Sequence, residues 1–192
     1  MRKLILALPF TLLPLSLAYA DDHDHDHGSL DKHEHGISAL NVALEGNKLE
    51  IELESPAMNI VGFEHTANSD ADKSKVTAAQ AALEKPLTLF SLAPAAGCVV
   101  QETDVESPLF GNDDHDDHDE HDEMHVDAKG DSHSDIDADY EFTCSKPEAL
   151  TTLNLAPFFK QFPGTSKVQV QLIAPSGQKG AELTPASPAM NF

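Results

Sequence analysis

The chain has 192 residues, enough for one domain or two small halves, and its 33 Asp and Glu against 12 Lys and Arg give a formal net charge of −21. A surface this negative repels phosphates, which argues against nucleic acid as a partner, and it concentrates divalent cations instead. Of the 11 histidines, ten lie in two acidic tracts and only His65 stands apart.

Arg2 and Lys3, an apolar run from Leu4 to Leu17, and Ala18-Tyr19-Ala20 form the charged start, apolar middle and small-residue end of a secretory signal peptide, residues 1–20, with cleavage expected after Ala20. The run is short for a span of about 20 residues, and Pro9 and Pro14 interrupt it. The mature protein is therefore expected to begin at Asp21, to have no membrane span, and to be a monomer. Residues 21–36 form a first His/Asp-rich segment, with His23, His25, His27, His33 and His35 set among carboxylates.

From Ser38 the pattern has period two. Leu40, Val42 and Leu44 alternate with smaller or polar residues, and after Gly46-Asn47, Leu49, Ile51 and Leu53 alternate with glutamates, which predicts a hairpin with one apolar and one solvated face. This unit ends in Ser55-Pro56-Ala57-Met58-Asn59. Near the C-terminus, Val168, Val170 and Leu172 alternate with glutamines, a turn is expected around Pro175 to Gly180, and the unit ends in Ser187-Pro188-Ala189-Met190-Asn191. The repeated five residues predict two related β-rich halves, 37–106 and 133–192. The fold class is mainly β, a β-rich α+β arrangement with a few short helices. Ser69 is the expected cap of a helix from about Ala71 to Glu84, with Val76, Ala79 and Leu83 as its apolar stripe. Ala156 to Phe162 reads as a short helix bringing three phenylalanines to the core.

Between strands expected at Cys98 to Val105 and Ser134 to Thr143 lies the second tract, residues 107–132. It is too rich in like charge, and too poor in apolar residues, to build a core, so a disordered loop is expected. His115, His118, His121 and His125 are spaced three, three and four apart, so a helical turn would place them on one face. Imidazole flanked by carboxylate is a ligand set for borderline metals, zinc first, with copper or nickel also able to bind. Weak, rapidly exchanging sites are expected in this loop and in the His23, His25 and His27 tract. The cysteines Cys98 and Cys144 flank the loop in sequence, and in an exported chain they are expected to form a disulfide stapling the loop's base. Thiolate ligation of a metal is the alternative.

The chain contains no His-Glu-x-x-His signature, no Gly-x-Ser-x-Gly elbow and no glycine-rich phosphate loop, so an enzyme is not expected. His33 and His35 precede the first hairpin, His133 precedes a long strand, and His65 follows the first hairpin's closing motif. Zinc takes about four ligands, so these four are the candidates for a preorganised tight site.

His33-Glu34-His35-Gly36, Ser55-Pro56-Ala57-Met58-Asn59 followed by Gly62-Phe63-Glu64-His65, and Tyr140-Glu141-Phe142-Thr143-Cys144 together resemble the ZrgA-like periplasmic zinc-uptake proteins, across nearly the whole mature chain. The resemblance implies a periplasmic zinc-binding protein working with an inner-membrane ABC importer. The competing expectation is a periplasmic buffer that protects against excess zinc or copper without a transporter.

Overall fold

The computed structural model describes residues 34–111 and 134–192. Strands β1 (Ile37–Glu45) and β2 (Lys48–Pro56) form the first hairpin, with Leu44 opposite Leu49 and Leu40 opposite Leu53, so the alternating apolar residues share one face. Strand β2 runs into helix α1 (Ala57–Ile60), and helices α2 (Asp70–Leu83) and α3 (Pro86–Leu89) follow. Ser69 caps α2 as its residue type suggests: its Oγ accepts the Asp72 N–H at 3.1 Å and donates to Asp72 Oδ2 at 2.6 Å. Strands β3 (Cys98–Glu106) and β4 (Asp135–Cys144) form a second, antiparallel pair. Then come β5 (Thr152–Asn154), α4 (Ala156–Gln161), β6 (Lys167–Ala174), β7 (Gly177–Leu183) and β8 (Ala189–Asn191).

Six of these strands make one sheet in the order β3-β4-β2-β1-β6-β7, and β5 pairs with β8 separately. All neighbours are antiparallel except β1 and β6. The two hairpins predicted from the sequence are thus both present and lie side by side in one sheet, over a shared core. Leu49, Ile51, Phe142, Val168 and Leu172 from the sheet, and Leu83, Phe90, Phe158 and Phe162 from the helical side, are all fully buried in that core. Burying an aliphatic or phenyl side chain of this size contributes about 1.5 to 3 kcal/mol.

Three expectations change. The turn expected around Pro175 to Gly180 is tighter, because β7 already begins at Gly177 and its Gln178, Lys179 and Gly180 pair with β6. An edge strand with one neighbour needs no apolar alternation, so its polar residues read as loop. The two Ser-Pro-Ala-Met-Asn copies have different structures: the first closes β2 and forms α1, while the second ends in β8 against β5. The disulfide forms between Cys98 and Cys144, but not at the loop's base. These residues face each other where β3 begins and β4 ends, at the opposite end of the pair from the connecting residues. Eight residues of strand separate them from that end, about 27 Å at the usual rise.

Candidate metal centre

Of the histidines proposed as ligands, the described residues include His35 and His65. His23, His25, His27, His33, His115, His118, His121, His125 and His133 lie outside the described residues. His35 is placed by the turn that leads into β1, where Gly36 takes φ +88°, a left-handed value that suits glycine. His35 Nε2 lies 3.0 Å from Glu64 Oε1, joining two segments 29 residues apart. The Glu64 side chain is only 13% exposed while that of His35 is 49% exposed, so the carboxylate is the more buried partner of the pair.

Glu64 is the candidate residue that the sequence reading passed over. It follows buried Phe63 and its carbonyl accepts the Ser134 hydroxyl at 3.0 Å. Ser134 in turn offers its carbonyl to the Ala57 N–H at 2.8 Å, so the segments before β4 and after β2 are joined at the site. The available signal was Glu64's place between the apolar anchor Phe63 and the lone His65.

His65 is exposed. Its Nδ1 donates to the Thr66 carbonyl at 3.0 Å, the kind of backbone contact that orients metal-binding histidines. Its ring stacks on Phe63 with centroids 4.7 Å apart, and Lys75 Nζ lies 5.7 Å from the Phe63 centroid. Asp72 is held below the usual carboxylate range by the Ser69 hydroxyl, with His65 and Lys75 adding attraction. Among the described residues, no group of three or more His, Cys, Asp or Glu is close enough to hold a metal ion. The structure therefore joins His35 with Glu64 and does not add His65 to them as a third ligand.

The pair fits zinc chemically. Nitrogen and oxygen ligands at about 2.0 to 2.2 Å on a tetrahedral ion lie roughly 3.3 Å apart, close to the observed separation. The imidazole proton facing the carboxylate would be displaced on binding. The cysteines supply no thiolate, since both are in the disulfide.

The outer face of β3, β4 and β2 is a grid of carboxylates. In register across the three strands run Glu106, Asp137 and Glu54; Asp104, Asp139 and Glu52; and Glu102, Glu141 and Glu50. Lys48 bridges Glu50 at 2.6 Å and Glu141 at 3.0 Å, and these two bonds raise its pKa. Asp137 and Asp139 sit in the central strand, where desolvation first, and the flanking carboxylates second, push both upward.

The described residues thus form a mainly β fold with an imidazole–carboxylate pair beside the start of β1. Residues 32–192 match the ZrgA family zinc uptake protein, and the chain belongs to that family. No curated protein matches the chain. Among the described residues no helix is long and apolar enough to cross a membrane.

Proposed function

We propose that this protein is an exported periplasmic zinc carrier that captures the ion at a folded site built on His35 and Glu64 and passes it to an inner-membrane ABC importer. The observation that carries the reading is the 3.0 Å contact between His35 Nε2 and the mostly buried Glu64 carboxylate, in a chain of a zinc uptake family. His33 and His133, two of the four histidines expected at a tight site, would complete it with His35 and Glu64 as four ligands. The histidines of residues 21–27 and 112–125 add weaker sites.

Zinc titration against a competing chelator tests this. His35→Ala and Glu64→Gln should each weaken the tightest site by at least about tenfold, since each removes one of about four ligands. Tight binding unchanged in both variants would refute the folded site. Acidification should weaken zinc binding, because protons compete for the imidazoles. Loss of growth in a chelator-treated strain lacking the protein supports delivery to an importer; sensitivity only to excess zinc or copper supports buffering instead.

A further inference from the structure

We infer that Asn59 is a positioning residue for zinc: its buried amide sets the backbone next to His35 and thereby holds His35 at bonding distance from Glu64. This rests on the reading of His35 and Glu64 as ligands. Asn59 is 2% exposed, and its Oδ1 accepts the Gly36 N–H at 2.6 Å while Nδ2 donates to the Ile37 carbonyl at 2.8 Å. A backbone N–H only donates and a carbonyl only accepts, so the amide has one possible orientation. It bonds the N–H of one residue and the C=O of the next. Nδ2 also lies 3.3 Å from Ser38 Oγ and 3.4 Å from Ser55 Oγ, two hydroxyls 2.7 Å from each other.

Neither side of this clamp can retreat. The Gly36 carbonyl accepts from the Ser166 and Lys167 N–H groups at 2.8 and 3.0 Å, and Gly164 packs so closely that a Cβ there would be 2.6 Å from the Asn59 carbonyl oxygen. Asn59 belongs to α1, and the chain from α1 leads through Val61, Gly62 and Phe63 to Glu64. One amide thus ties the His35 segment to the Glu64 segment without touching the ion. Asn191, the counterpart in the second copy of the five-residue motif, is exposed on β8 and holds no such position.

Asn59→Asp keeps the shape and the acceptor for Gly36 but turns a carboxylate oxygen toward the Ile37 carbonyl. Zinc affinity should fall about tenfold, the low end for a residue that orients a ligand. Cobalt(II), bound in place of zinc, should show an altered visible spectrum. In a His35→Ala background the same substitution should cost no further affinity, which a general loss of structure would not predict. Should Asn59→Asp fail to fold, Asn59→Ala, which introduces no charge, takes its place. In the unaltered protein, zinc should also shift the NMR resonances of the Asn59 side-chain amide. A folded Asn59 variant with unchanged affinity and spectrum, an equal loss without His35, or an amide resonance blind to zinc would each overturn the inference. If instead His35→Ala and Glu64→Gln leave zinc affinity untouched, it is the ligand reading that fails.

Discussion

Tyr140 heads the fully buried side chains in size, and its hydroxyl has no hydrogen-bond partner among the described residues. Phe90 packs edge-on to its ring at 5.3 Å, and burial pushes the phenol pKa upward. A buried polar group without a partner costs about 1 to 3 kcal/mol, so Tyr140→Phe should raise thermal stability. A lower Tm would show that the hydroxyl is satisfied. Asp139 makes a second case, with Asp104 and Glu52 opposite it on either side. Like charges directly opposed destabilise by about 0.2 to 1 kcal/mol, so Asp139→Asn should raise Tm at pH 7. Because Asp137 and Asp139 titrate above the ordinary aspartate value when folded, the folded state holds more protons than the unfolded state just above that value. Their contribution is fully present below the ordinary value of about 3.9 and is lost as pH rises through the folded value. Asp72 has the opposite sign: its stabilisation is lost as pH falls through its lowered folded value. Acidification toward the ordinary aspartate value should therefore stabilise the metal-free protein more than it does an Asp139→Asn variant, and an identical dependence of Tm on pH in the two would contradict the grid's role. At this scale the sequence identified His35 as a candidate but not Glu64, because a contact across 29 residues depends on how β1 and the segment after α1 meet.

Individual elements were more legible. The period-two runs located β1, β2, β4 and β6 because those strands have one buried face, and Ser69 with the Val76, Ala79 and Leu83 stripe located α2. The start of β7 and the three-residue strands β5 and β8 escaped because short or edge strands lack that alternation. Pairing of the cysteines was legible from composition; their place was not, since it depends on the direction of the strands that carry them. The disulfide closes a separation of 46 residues, worth about 4 kcal/mol in the loop-entropy account. Reduction should lower stability by about that amount, and thiol labelling of the unfolded, unreduced protein should find no free cysteine. Because the bridge lies at the far end of β3 and β4 from the connecting residues, reducing it should leave zinc affinity nearly unchanged while the protein stays folded. A large loss of affinity on reduction, without unfolding, would contradict that separation.

At the scale of the whole molecule, deleting residues 112–130 removes His115, His118, His121 and His125 while keeping both cysteines, β3 and β4. The sheet should still form, because β4 is held on one side by β2 and on the other by β3 and the disulfide. Calorimetric titration should then show fewer weak zinc sites with the tight site retained; loss of all tight binding would make the loop itself the receptor. The sheet's order also has a temporal side. Strand β1 pairs with β6 in parallel from Ile37 opposite Lys167 to Ala43 opposite Ile173, so the first strand to be synthesised waits for nearly the last. Until then its backbone donors and acceptors along that edge have no partner strand, and non-local pairing of this kind is slow. An N-terminal fragment ending before Lys167 would keep an open, apolar-faced edge, so truncated chains should aggregate rather than fold.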